Sequence, residues 1–145
     1  MTYTIKEVAE RTDFSIYTLR YYDKAGLLPF VSRDASGYRA FTDGDLQILH
    51  TIACLKDTGM KIAAIRQYVT YIMQGPSSIP QRKQLLEEHR QTVLHQQAVV
   101  AQSLKEIDFK LAMYSSPHAA ELVGLELQTA KSQKRASQLA DPFEG

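Results

Sequence analysis

The chain has 145 residues, 44% of them hydrophobic, with 17 Lys and Arg against 16 Asp and Glu and one cysteine. That length accommodates one domain of ordinary size plus something extended. The lack of any long apolar run or basic-then-apolar N-terminus argues against a membrane span or signal peptide. A single cysteine precludes an intrachain disulfide and suits a soluble protein of the reducing cytoplasm. With a net charge of only +1, any affinity for phosphate has to come from a local arrangement of side chains and backbone N–H groups.

Thr4-Ile5-Lys6-Glu7 reads as a capping box that opens a helix, with Ile5, Val8 and Ala9 as its apolar stripe and an end near Thr12-Asp13. Ser15 is a good N-cap for a second helix through Ile16-Tyr17-Thr18-Leu19-Arg20-Tyr21-Tyr22-Asp23-Lys24, stopped at Gly26. Two or three residues between the helices is helix-turn-helix spacing. Leu28-Pro29-Phe30-Val31 and Tyr38-Arg39-Ala40-Phe41 flank a turn-rich stretch, 32–37, and predict a β-hairpin, or wing. Thr42-Asp43-Gly44-Asp45 starts a third helix that stops at Gly59, and a fourth covers Ile62 to Met73, without a good N-cap, closed by Gly75-Pro76.

After a short break at 77–80 comes a long helix. Leu86, Val93, Val100, Ile107 and Tyr114 are each seven apart, and Ile79, Lys83, Arg90, Gln97, Leu104 and Leu111 complete a 3,4 alternation. A helix this long extends roughly 50 Å at 1.5 Å per residue. The seam reads as a coiled coil that joins two copies of the chain; the alternative is an amphipathic helix packed on its own core. In the tail, a short helix is expected at 118–127, the stretch 131–138 is read as solvated and 141–145 as frayed. The expected organisation is therefore a DNA-binding domain at 1–75, a dimerisation helix at 79–114 and a tail at 115–145, mainly α-helical.

These elements, in this order, resemble the MerR family of transcription regulators. Thr4–Ala9 is similar to the family's opening helix, and Thr18-Leu19-Arg20-Tyr21-Tyr22-Asp23-Lys24-Ala25-Gly26-Leu27-Leu28 to its most recognisable string. Gly37-Tyr38-Arg39-Ala40-Phe41-Thr42-Asp43 is similar to the end of its wing, and Leu55-Lys56-Asp57-Thr58-Gly59-Met60 to the end of its third helix. The turn between the first two helices departs from the pattern. Asp13 stands where glycine is usual, and is expected to take the left-handed backbone in its place.

The position of Ser15, Ile16, Tyr17 and Thr18 at the start of the second helix makes them candidates for contact with base edges, and Arg20, Tyr21 and Lys24 for contact with phosphates. The resemblance assigns Arg20, Tyr21, Tyr22 and wing Arg39 to the DNA backbone, with Tyr38 beside it and Lys56 as a further candidate. By residue pattern Leu19 and Tyr22 also suit the core, and for Tyr22 both roles stay open. The resemblance further implies a homodimer with an antiparallel coiled coil through Leu86, Val93, Val100, Leu104, Ile107, Leu111 and Tyr114. Its partners would be double-stranded promoter DNA and RNA polymerase, with activation by distortion of the duplex.

Cys54 falls on the face of the third helix opposite Leu46, Leu49, Ile52 and Leu55, with His50 one turn before it. A thiol in that position can react with aldehydes and other electrophiles, favoured as a thiolate by His50. The string Ile52–Met60 resembles the single-cysteine aldehyde- and nitrosative-stress branch of the family. Alternatives are a bystander thiol, a non-thiol small-molecule or protein signal, or a coiled-coil scaffold. An enzyme built on Cys54 and His50 lacks a Gly-rich turn and a third polar partner. No cofactor, metal or membrane contact is expected: His89 and His95 lack ligand spacing, and no paired cysteines close the long helix.

Overall fold

Thr4 caps α1 (Ile5–Arg11): its hydroxyl accepts from Glu7 N, and the Glu7 carboxylate accepts from Thr4 N. Ser15 does the same for α2 (Ile16–Lys24), accepting from Thr18 N at 3.0 Å. Between them the backbone turns without a left-handed residue. Thr12 is extended at φ −129°, its hydroxyl donates to Val8 O at 2.8 Å and accepts from Phe14 N at 3.3 Å. The expectation of a left-handed Asp13 is corrected: Gln138 is the one non-glycine residue with positive φ among the described residues. A threonine side chain shapes the corner that glycine would otherwise make. This computed structural model describes residues 1–144, in two compact units, Met1–Val93 and Leu94 onward, each taken by itself.

Gly26 ends α2 at φ +77°, with Leu27 N donating back to Tyr22 O at 2.9 Å. The wing strands are β1 (Ser32–Arg33) and β2 (Arg39–Ala40), antiparallel, with Ser32 opposite Ala40 and Arg33 opposite Arg39. The first strand therefore lies inside the expected turn rather than at 28–31. Leu28 is core, and Val31 N closes a turn onto its carbonyl, so those residues cannot also supply a ladder. Phe41 pairs with Tyr3 by two backbone hydrogen bonds, which ties the end of the wing to the chain ahead of α1.

Thr42 caps α3 (Asp43–Asp57) with Asp45 as the reciprocal carboxylate, and α3 stops at Gly59. Next, α4 (Ile62–Met73) starts at Lys61 with no side-chain cap. The core of the first unit gathers Val8, Leu19, Leu27, Phe41, Leu49, Ile52, Ile65 and Val69, all fully buried. Each such side chain contributes about 1.5–3 kcal/mol by leaving water. Leu86, from the first turns of the long helix, packs on this cluster.

A 3-10 turn, Gly75–Ser78, leads directly into α5 (Ile79–Tyr114), 36 residues long, so the expected break is narrower than 77–80. Pro80 fits there because the first helical turn needs no backbone donor. Arg82 binds the carbonyls of Tyr71, Ile72 and Gly75 and the Ser78 hydroxyl, which satisfies the end of α4. In the second unit α6 (Ala119–Ala136) is 18 residues long and runs nine residues further than the end expected at 127. It continues through residues expected to be solvated because Ala, Lys, Gln and Arg are strong helix formers. Lys110 of α5 pairs with Glu126 of α6 at 3.8 Å. Residues 141–144 carry no helix or strand, as expected of a chain end, and Lys131 lies 3.7 Å from Asp141 and 3.6 Å from Glu144. Gly145 lies outside the described residues.

Candidate nucleic-acid interface

The residues of α2 divide cleanly by exposure. Leu19 and Tyr22 are buried; Ile16, Thr18 and Asp23 are partly covered; Tyr17, Arg20, Tyr21 and Lys24 are exposed. The exposed four fall at i, i+3, i+4 and i+7, one stripe of a 3.6-residue helix. Tyr17 is 82% exposed and Tyr21 51%, far more than aromatic rings usually are. The stripe combines two π-faces with two cations, and it starts at a capped N-terminus where Ser15 also bonds the Thr18 hydroxyl at 2.9 Å. On the wing Tyr38 is 73% exposed.

Tyr22 does not belong to that surface. It is 3% exposed and meets Phe14 edge-on with ring centroids 5.6 Å apart, and burial pushes its hydroxyl pKa above the ordinary tyrosine range. Of the two roles open to it in the sequence, this burial favours core packing. Tyr21, whose ring lies 6.0 Å from Tyr22, is instead half exposed. Lys56 is exposed on α3, its ammonium 5.6 Å from the Phe14 ring centre.

Arg39 is not simply a free cation on the wing. Its Nε and Nη2 both reach Asp23 Oδ2, at 2.7 and 2.6 Å, and Arg33 Nη2 approaches the same oxygen at 3.5 Å. Arg33 also donates to Gly37 O across the wing turn at 2.8 Å. Neither Asp23 nor Arg33 stood out in the sequence, although the hairpin register, once known, puts Arg33 opposite Arg39. Arg66 of α4 supports the same region, donating from Nε to Ala25 O at 2.7 Å.

Cys54 is exposed on α3, as its helical position predicts. His50 borders a cleft with Arg11, Thr12, Asp13, Phe14, Leu46, Leu49 and Ala53, and Cys54 is not among its walls. One turn beyond Cys54, the Thr58 hydroxyl donates to Cys54 O at 2.8 Å and lies 2.7 Å from His89 Nε2 on α5. Which of the two donates depends on the His89 tautomer, and either assignment joins α3 to α5. Along α5, Leu86 and Val93 are partly covered, while Val100, Leu104, Ile107, Leu111 and Tyr114 are more than half exposed. Among the described residues no helix is long and apolar enough to cross a membrane, and no cluster of three His, Cys, Asp or Glu could hold a metal ion.

A capped recognition helix with an outward aromatic and cationic stripe, beside a two-stranded wing, defines a winged helix-turn-helix module of the DNA-binding kind. Residues 3–72 match the model of the MerR HTH family regulatory protein. An HTH-type transcriptional regulator of Haemophilus influenzae is 43% identical over 119 residues, 82% of this chain and 88% of that protein. The chain belongs to the MerR family and is a DNA-binding transcriptional regulator. The regulator AdhR of Bacillus subtilis is 33% identical over 90 residues, 62% of this chain and 64% of AdhR. Among solved structures, HiNmlR, a MerR family regulator lacking the sensor domain, bound to promoter DNA, superimposes with a TM-score of 0.75. It is 42% identical, over 86% of this chain and 96% of that one. A MerR family regulator from Bacillus thuringiensis gives a TM-score of 0.74 at 40% identity, over 79% of this chain and 100% of that one.

Proposed function

We propose that two copies of this chain, joined through α5, grip promoter DNA with their α2 and wing surfaces and activate transcription by distorting the duplex for RNA polymerase. Modification of Cys54 by an aldehyde or another electrophile is the signal. The observation that carries the DNA contact is the exposed stripe Tyr17–Arg20–Tyr21–Lys24, and a related structure bound to promoter DNA supports it. Pairing of copies is supported by Val100, Leu104, Ile107, Leu111 and Tyr114, large apolar side chains left open along one seam. The residues proposed to meet bases and phosphates are Ser15, Ile16, Tyr17, Thr18, Arg20, Tyr21, Lys24, Tyr38 and Lys56.

For the signal, the exposed thiol of Cys54 adds to an aldehyde carbon, the carbonyl oxygen takes up a proton, and a hemithioacetal forms. The adduct stands one turn from the Thr58–His89 bond that joins α3 to α5, so it is placed to disturb that contact. That the DNA-bound neighbour lacks a sensor domain fits a signal received in the head itself. A second reading, a non-thiol ligand, draws on an open cleft of the second unit where Met113, Leu122 and Leu125 meet Glu126 and Gln133.

The test is binding to the duplex upstream of its own gene, with and without formaldehyde or methylglyoxal, in wild type and Cys54→Ser. Binding by both, with an aldehyde-dependent change in DNA distortion in the wild type alone, is the expected outcome. An identical aldehyde response in Cys54→Ser removes the thiol from the mechanism, and absence of binding removes the DNA contact.

A further inference from the structure

Arg33 and Arg39 stand directly opposite each other in the two-stranded wing, an arrangement that like charges disfavour. What makes it tolerable is the carboxylate of Asp23. One oxygen accepts two bonds from Arg39, at 2.7 and 2.6 Å, and faces Arg33 at 3.5 Å. Asp23 is on α2 itself, between Tyr21 and Lys24 of the exposed stripe, so the bond connects the two surfaces proposed to meet DNA. A carboxylate there repels phosphate, and partly exposed ion pairs contribute little to folding. Beyond offsetting the two arginines, the carboxylate ties the wing to α2.

We infer that Asp23 is a positioning residue for DNA recognition: by engaging Arg39 closely and Arg33 at 3.5 Å it fixes the wing against α2 and competes with phosphates of non-cognate DNA for both guanidinium groups. This rests on the proposed DNA contact of α2 and the wing. Released, the same two arginines would seek any backbone within reach, since cation–phosphate attraction carries no sequence information.

The test compares Asp23→Asn with wild type on the upstream duplex and on a scrambled duplex of equal length, across a salt series. Each arginine freed to a phosphate steepens the dependence of log K on log salt by about 0.9. Asp23→Asn is therefore expected to bind scrambled DNA about tenfold tighter near 0.1 M salt, with a slope steeper by about 1–2 and a lower ratio of specific to non-specific affinity. Asp23→Glu, which keeps the charge, should keep the wild-type ratio. In an Arg33→Gln/Arg39→Gln background, removing the Asp23 charge should leave the slope unchanged. An unaltered slope and ratio in Asp23→Asn overturns the inference. So does an equal loss on both duplexes at constant slope, which would make Asp23 a brace for the fold. Wild-type protein that binds neither duplex refutes the DNA contact itself, a result distinct from both.

Discussion

Tyr21 and Tyr22 are neighbours in sequence with opposite surroundings, and the contrast yields a paired prediction. Tyr22 is 3% exposed and packs edge-on against Phe14. Tyr22→Ala empties a ring-sized space, at a cost of about 3–5 kcal/mol out of a total stability on the order of 5–15 kcal/mol. In a unit the size of the first, that lowers the melting temperature by roughly 15 °C or more. Tyr22→Phe keeps the packing, so its DNA affinity should stay within about threefold of wild type, half a kcal/mol or so. Tyr21 is half in water. Tyr21→Phe should melt close to wild type, yet lose about 1.5–3 kcal/mol of binding if its hydroxyl meets a phosphate oxygen. That is a factor of about ten to a hundred in Kd. Circular dichroism melts and fluorescence anisotropy on a labelled promoter duplex measure both quantities. Tyr22→Phe that melts normally but loses as much affinity as Tyr21→Phe would refute the reasoning, since a hydroxyl counted as interior would then be reaching the DNA.

Thr42→Ala removes half of the capping box of α3 and should cost about 1 kcal/mol, read as a lower midpoint in urea at unchanged m-value. Tyr22, through burial, and Tyr3, through its hydroxyl donating to Asp43 at 2.8 Å, both hold their protons beyond the ordinary range. The unfolded chain loses these protons first, so the stabilisation is complete below about pH 10 and is lost as pH rises through the folded values. Tyr22→Phe should flatten the alkaline fall in urea midpoint, and an unchanged profile would count against it. Leu104→Asp with Ile107→Asp should convert a dimer to a monomer in sedimentation while far-ultraviolet circular dichroism of the first unit's helices persists; a retained dimer would place the seam elsewhere.

The helix boundaries were readable because their signals are local. Thr4 with Glu7 and Thr42 with Asp45 form capping boxes within four residues, and Gly26 and Gly59 stop helices where only a positive φ closes the last turn. The wing was harder. Two-residue strands carry no periodicity, and Ser32-Arg33 looks like turn material until its register with Ala40 and Arg39 is seen. At Asp13 the sequence suggests backbone freedom in place of glycine, whereas Thr12 solves the corner through its side chain. Tyr22 shows the limit of resemblance: a motif marks a position as shared without saying whether core or ligand keeps it. The Asp23–Arg33–Arg39 triad joins residues ten and sixteen apart through the fold, and no local rule announces it. In the tail, the apolar pattern of α6 fades after Leu127 but the helix does not, since propensity alone extends it.

Arg82 gives the passage from α4 to α5 the character of a weld. Helix ends are ordinarily where a chain can flex, because their last carbonyls have only water for partners. Here two of those carbonyls, with that of Gly75 and the Ser78 hydroxyl, are gathered by one planar guanidinium four residues into the next helix. Bending at this junction would break several bonds to the same cation together, so small torques on the start of α5 turn α4 with it instead of being absorbed. The chain has thereby removed a degree of freedom between α4 and the first turn of α5. An extra residue inserted between Ile72 and Ser78 should accordingly disturb DNA binding far more than one added beside Ala35 at the wing tip.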